Sequence, residues 1–236
     1  MFKIYAVSQV GSMHSCNEDR AIINGSVLHN GEVEQWCDRS ELTVAIFDGV
    51  GGEQGGAVAS TFAARRIAER ASNVNEKALK DINDKLISFA DESDLHNMAT
   101  TIACVMIDNG KATVYFAGNS RVYALRCGFL QQISRDDTVA ASASSFGDKI
   151  TDTTTPITSC MGGGDKELFQ LKTEVMDILP PMFLLTSDGV HDHIVNRELE
   201  EIILNNKPED VCNLLIKKAT ENGSSDDKTV VLVIAN

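Results

Sequence analysis

The chain has 236 residues, and 43% hydrophobic against 23% charged residues is the balance of one soluble folded domain over 1–236. Its 34 acidic and 21 basic residues leave a net charge of −13, which repels polyanions and argues against nucleic acid as a partner. No run nears the ~20 apolar residues of a membrane helix, and the first residues lack a signal-peptide pattern, so a cytoplasmic protein that does not enter a membrane is expected.

Residues 2–8 alternate apolar and polar up to Gly11 and read as a strand, with a second short one over 21–24. Residues 42–47 read as a buried strand that stops at Asp48-Gly49 and opens into a glycine-rich turn. Two helices follow, over 56–71 and 76–90, the latter with Leu79, Ile82, Leu86 and Phe89 on one face. Four β-like runs over 100–107, 112–117, 122–126 and 130–133, separated by hairpin signals such as Asn109-Gly110, read as an antiparallel meander. Residues 136–146 suit a helix and 147–156 a loop, with strands returning over 168–175 and 182–186. Amphipathic helices over 199–204 and 211–219 precede a last strand over 230–234. Strands in runs and helices in pairs predict an α+β fold of two antiparallel sheets with helix pairs outside them.

Six cysteines, Cys16, Cys37, Cys104, Cys127, Cys160 and Cys212, never fall in C-x-x-C spacing, so neither a zinc knuckle nor a redox pair is written here. His191 and His193 flank Asp192, but no third placed ligand supports a zinc site. The acids that stand out lie at strand ends, where a rigid element can aim them: Glu18-Asp19, Asp48, Asp188 and Asp226-Asp227. An Asp-Gly after a strand is usually an ordinary turn. Several carboxylates meeting at one point would raise each other's pKa and call for hard divalent cations, for which all-oxygen ligation suits Mg²⁺ or Mn²⁺.

The segments "VGSMHSCNED", "AIFDGVGGEQGG", "ATTIACVMI", "VYFAGNSRVYALRCGFLQQISRDDTV", "MFLLTSDGVHD" and "SSDDKTVVLV" run in order through nearly the whole chain. Together they resemble the metal-dependent protein phosphatases of type 2C, in their bacterial form. The resemblance implies a four-layer αββα sandwich of two antiparallel β-sheets flanked by helix pairs, and hydrolysis of phosphoserine and phosphothreonine in proteins. It implies two Mn²⁺ or Mg²⁺ ions bridged by Asp48, with Asp188 and Asp226 completing one ion's ligands and Glu18 and the Gly49 carbonyl holding the other. Asp226 is chosen over Asp227 because the family's Asp-Asn-x-Thr aligns its first residue there. Asp48 and Asp19 are the catalytic candidates, Asp19 orienting metal-bound water, and Asp192 would stand behind the ligands. Two such ions lower the pKa of water toward neutrality and offset charge on a phosphoryl group.

The chain departs from the family's pattern in places. His14 stands where an Arg usually grips the phosphate, and a single ring donor binds an oxyanion less firmly. Asn119, in Gly118-Asn119-Ser120-Arg121, replaces an Asp that helps hold a third metal, so that site is expected to be weak or absent. Val50 cannot move a proton, and Asp137, where a His is common, is read as a helix start. A Ser/Thr-rich flap over 140–158 near the substrate is a further expectation. The first reading is a monomeric protein serine/threonine phosphatase acting on phosphoproteins and reversing a partner kinase. The rival is a phosphatase-like domain that keeps fold and metal but acts as a phosphoprotein-binding or regulatory module, for which His14 and Asn119 speak.

Overall fold

The computed structural model describes every residue except 39, 51–54, 71–73, 146–155 and 236. The glycine turn at Gly51 and Gly52, the last part of the helix expected over 56–71, and most of the flap expected over 140–158 therefore lie outside the described residues.

Two six-stranded antiparallel sheets are packed face to face. The first joins β1 (Phe2–Gln9), β4 (Gly31–Cys37), β10 (Arg121–Arg126), β11 (Phe129–Gln132), β14 (Met182–Thr186) and β15 (Lys228–Ala235) in the order β11-β10-β14-β15-β1-β4. The second joins β2 (Arg20–Ile23), β3 (Ser26–Leu28), β5 (Glu41–Phe47), β8 (Ile102–Asp108), β9 (Lys111–Ala117) and β13 (Lys172–Met176) in the order β13-β9-β8-β5-β2-β3. Their inner faces interdigitate: Ile4, Phe183 and Val231 from one sheet meet Val44, Ile46, Val105 and Phe116 from the other. Outside the second sheet, α1 (Gly55–Ala68) and α2 (Glu76–Glu92) bury Ile67, Leu79, Ile82 and Leu86. Outside the first, α4 (Asp188–His191), α5 (Asn196–Asn205) and α6 (Pro208–Glu221) bury Val190, Leu199, Ile203, Leu215 and Ile216. These are the expected four layers.

The burial of the strands explains their sequences. β5 lies between β2 and β8 with a sheet on one face and helices on the other, so Leu42–Phe47 is buried throughout and, Thr43 apart, apolar rather than alternating. β4, at the sheet edge, keeps Glu32, Glu34 and Trp36 exposed, and its charged alternation hid it from the sequence reading.

Four expectations need correction. The meander is two hairpins in different sheets: β8 pairs with β9 and β10 with β11, and the chain changes sheet at Gly118–Ser120. Gly118 has φ of +102° and faces Thr101 at 2.7 Å from a would-be Cβ, a crossing only glycine makes without strain. The run over 100–107 breaks at Thr101, so that β7 (Ala99–Thr100) leaves for a small sheet with β6 (Gly49–Val50) and β12 (Met161–Gly162). The strand expected over 168–175 begins only at Lys172, because Lys166–Leu168 form a short 3-10 turn capped by Asp165. The helix expected from 136 starts at Val139 as α3 (Val139–Ser145). Its first turn is capped by Thr138, whose hydroxyl accepts from the Ala141 amide, while Asp137 accepts from the Gly118 amide and pairs with Lys172. Asp137 thus secures the sheet crossing rather than a helix start. All six cysteines are unpaired.

Candidate active site

The acids singled out in the sequence gather where strands of both sheets end. Glu18 and Asp19 precede β2, Asp48 follows β5, Asp188 opens α4 directly after β14, and Asp226 lies just before β15. Local hydrogen bonds hold each in place. Asp48 leaves the β5 ladder and is pinned by Thr101, whose amide donates to the Asp48 carbonyl at 2.9 Å and whose hydroxyl accepts the Asp48 amide at 3.0 Å. The Thr101 hydroxyl in turn contacts Ser120 at 2.7 Å, so the strand break at 101 is what aims Asp48. Glu18 is held from two sides: its amide donates to Asp227 at 2.6 Å and its carbonyl accepts from the Ser60 hydroxyl of α1 at 2.5 Å.

The charges of these acids act on one another. Burial raises the Asp48 carboxyl well above the usual carboxylate range, and the fields of Asp188, Asp19 and Asp226 raise it further. Burial pushes Asp19 up to about 7 against hydrogen bonds from Thr229 and Ser187, with Asp188 and Asp227 adding to the rise. Asp226 and Glu18 are raised as well, in both cases chiefly by burial. Asp192 caps α4, donates its amide to the Asp188 carbonyl at 3.0 Å, and is pushed to about 6 by burial and by Asp188. Asp48, Asp188, Asp19 and Asp226 therefore share one electrostatic neighbourhood.

Asp226 and Asp227 divide their work. Asp227 is 3% exposed and accepts from the Gly11 amide at 2.7 Å, the Glu18 amide, and His14 Nδ1 at 3.0 Å. Asp226 is half exposed, accepts the Asp227 amide at 2.7 Å, and feels the field of Asp188. His14, Asp226 and Asp227 offer ligand atoms within 4.8 Å of one another. Because the Asp227 oxygens already accept from two backbone amides, this trio is a brace for the loop at residues 11–18 rather than a cage. Burial works against charge on His14, but the Asp227 hydrogen bond and the fields of Asp227, Asp226 and Glu18 outweigh it and raise the ring's pKa. Asn119 reaches the cluster too, its side-chain amide donating to Asp188 Oδ2 at 2.9 Å.

Gly49 and Gly56 let two backbones touch beside Glu18. A Cβ on Gly49 would come within 2.5 Å of the Gly56 carbonyl carbon, and one on Gly56 would overlap the Glu18 carboxylate. Gly49 also pairs with Thr100, which ties the small sheet to the start of α1.

The donors suit hard divalent cations. They are oxygens, burial and neighbouring carboxylates raise the pKa of Asp48, Asp226 and Glu18, and the buried Asp19 Oδ2 has no hydrogen-bond partner among the described residues. Zinc chemistry through His191 does not fit: the ring is fully buried, Nδ1 meets the Thr186 hydroxyl at 2.9 Å, and burial holds it neutral well below the usual histidine range.

Several residues of this neighbourhood escaped the sequence reading. Asn17 is buried and its side-chain Oδ1 accepts the Asp19 amide at 2.9 Å. Lys228 is buried with its ammonium on the Asp226 carbonyl at 2.5 Å, and burial lowers its pKa. Ser187 and Thr229 supply hydroxyls to Asp19. Their only sequence signal is position beside an acid at a strand end.

The protein phosphatase 2C family model matches residues 29–218, so the chain belongs to that family. The match includes Asp48 and Asp188 and leaves Glu18, Asp19 and Asp226 outside it. The serine/threonine phosphatase stp of Listeria monocytogenes is 26% identical over 94% of this chain and 92% of its own length. Among solved structures, serine/threonine phosphatase Stp1 from Staphylococcus aureus superposes with a TM-score of 0.83 at 23% identity, covering 100% of this chain and 96% of that one. The catalytic domain of the serine threonine protein phosphatase PstP in complex with two manganese ions gives 0.77 at 23% identity, covering 99% of each chain. At this identity the superpositions establish the shared fold.

Proposed function

We propose that this chain, taken as one domain over 1–236, is a metal-dependent protein phosphatase that hydrolyses phosphoserine and phosphothreonine in proteins. The observation that carries the reading is the convergence of Asp48, Asp19 and Asp226, each raised in pKa by burial and then by neighbouring carboxylates, on the field of Asp188. Such a cluster is stable in its charged form only when cations neutralise it. Asp48, Asp188 and Asp226 would hold one Mn²⁺ or Mg²⁺, and Asp48, Glu18 and the Gly49 carbonyl a second. Bound there, such ions supply Lewis acidity that activates water and offsets phosphoryl charge.

The chain's own groups do the positioning. Asp19, whose Oδ2 has no hydrogen-bond partner among the described residues, orients water beside the acids that would hold the ions. Asp227 fixes His14 and the Glu18 backbone, and His14, partly exposed at the rim, offers one donor to a phosphate oxygen. Asp192 restrains the Asp188 turn from behind. Asn119 occupies one Asp188 oxygen with a neutral amide, which supports a weak or absent third metal site. The same contact is what favours the rival reading, a phosphoprotein-binding module with little turnover.

No helix among the described residues is long and apolar enough to cross a membrane. The reading takes the protein as a cytoplasmic monomer, and the acidic net charge speaks against nucleic acid as a partner. A phosphoprotein substrate and a cognate serine/threonine kinase complete the reading. Turnover of a phosphothreonine peptide that appears with Mn²⁺ and disappears with EDTA and in Asp48→Asn tests it. Metal binding without turnover would favour the binding module.

A further inference from the structure

α1 and α2 leave an open groove of about 620 Å³ on the outer side of the molecule, lined by Arg20, Thr61, Phe62, Arg65, Arg66 and Phe89 among others. Its floor is aromatic: Phe62 of α1 and Phe89 of α2 stack with centroids 5.2 Å apart and planes at 25°. Its rim is basic. Arg66 lies over the Phe62 ring at 5.4 Å, and Arg20 is held rigid by the Thr61 hydroxyl at 2.9 Å and the Asn17 and Asp19 carbonyls. Arg65 is exposed and has no ion-pair partner among the described residues. Arg66 pairs with Glu69 at 3.5 Å and Arg20 is buried, so the exposed Arg65 beside this pair leaves the groove net basic in a chain of net charge −13, a local inversion of the molecule's field.

The groove and the acid cluster are linked through shared elements, the start of β2 and helix α1. Arg20 directly follows Glu18-Asp19, and α1 starts with Gly56 packed on the Glu18 carboxylate. From Gly56 to Arg65 the helix rises about 14 Å, which an extended peptide covers in about four or five residues.

We propose that this groove docks an acidic-apolar segment of the phosphoprotein substrate, about five residues from the phosphorylated side chain, an apolar side chain resting on Phe62 and Phe89 and carboxylates meeting Arg65 and Arg66. The proposal rests on the phosphatase reading for its substrate, but the groove's selectivity is measurable without turnover. The pattern is that of a charge-complementary rim around an aromatic anchor pocket, which confers specificity by accelerating encounter and rejecting basic segments.

The test uses phosphothreonine peptides sharing one core, carrying an Asp-Glu-Leu-Asp flank, a Ser-Gly-Ser-Gly flank or a Lys-Lys-Leu-Lys flank, each about five residues before or after the phosphothreonine. In parallel, the unphosphorylated acidic peptide is titrated by fluorescence anisotropy. The expected result is a KM at least tenfold lower for the acidic flank on one side. In Arg65→Glu/Arg66→Glu that advantage is lost, while aryl phosphate turnover and melting temperature stay unchanged. Arg65→Gln/Arg66→Gln, which adds no repulsion, should lose most of the advantage as well. Equal KM for all flanks, or equal loss for all flanks in the variants, overturns the proposal. A dimer in sedimentation that dissolves in Arg65→Glu/Arg66→Glu also overturns it, assigning the groove to a second copy of the chain. Absent turnover with acidic-peptide binding that the variants abolish supports the groove and counts against the phosphatase reading alone.

Discussion

Asp19 and Asp48 are costly to the folded chain on its own, because each must keep a buried carboxyl among other carboxyls. Both have folded pKa values above the unfolded value of 3.8, Asp19 reaching about 7. A carboxyl raised in this way leaves stability intact below the unfolded pKa and removes it as pH rises through the folded one, at about 1.4 kcal/mol per pH unit per group. The metal-free protein should therefore melt higher at pH 5 than at pH 7.5 in EDTA. Asp48→Asn should raise the pH 7.5 melting temperature by on the order of 5 °C and shrink the gap between the two pH values. A lower melting temperature for that variant in EDTA would contradict the mutual strain of the cluster. His14 gives a second prediction at this scale. Arg at this position offers a bidentate fork, so His14→Arg should raise kcat/KM for an aryl phosphate by about tenfold with Mn²⁺ affinity unchanged. An unchanged kcat/KM would remove His14 from the phosphate's path.

At the scale of elements, the decisive arrangement is the contact of β6 with the first turn of α1. Gly56→Ala puts a methyl group into the Glu18 carboxylate and against the Gly49 backbone, and neither backbone can yield easily. Overpacking of this kind costs about 1–3 kcal/mol, and here it should also weaken Mn²⁺ binding measured by calorimetry. A variant with native melting temperature and native Mn²⁺ affinity would show the contact to be slack. These elements also show where sequence reasoning reaches. β5, β14 and β15 are legible as mostly apolar runs beside turn residues, and β1 by its alternation up to Gly11. β4 was not, since an edge strand with one wet face carries Glu32, Glu34 and an exposed Trp36 in the manner of a loop. The crossing at Gly118 was missed for another reason: a hairpin and a sheet change both begin at Gly-Asn, and only the distant partner strand β14 decides between them.

Over the whole molecule, local pattern and long-range convergence separate clearly. The layers follow from strands in runs and helices in pairs, which is a statement about neighbours in the chain. The cluster joins residues up to 208 positions apart, Glu18 to Asp226, and spacing alone carries nothing about such proximity. Resemblance supplied the acids themselves. It did not supply Asn17, Lys228 or Ser187, which act only through hydrogen bonds or fields that exist once the strands are paired. The central claim is that this convergence is a divalent-metal phosphatase site in a chain whose net charge of −13 would otherwise repel a phosphate dianion. Its most direct test is hydrolysis of an aryl phosphate and a phosphothreonine peptide with and without Mn²⁺, for the native chain and Asp48→Asn. The account predicts turnover that requires Mn²⁺, is abolished by EDTA, and falls by at least about a hundredfold in Asp48→Asn. Turnover that survives EDTA, or an Asp48→Asn variant as active as the native chain, would contradict it.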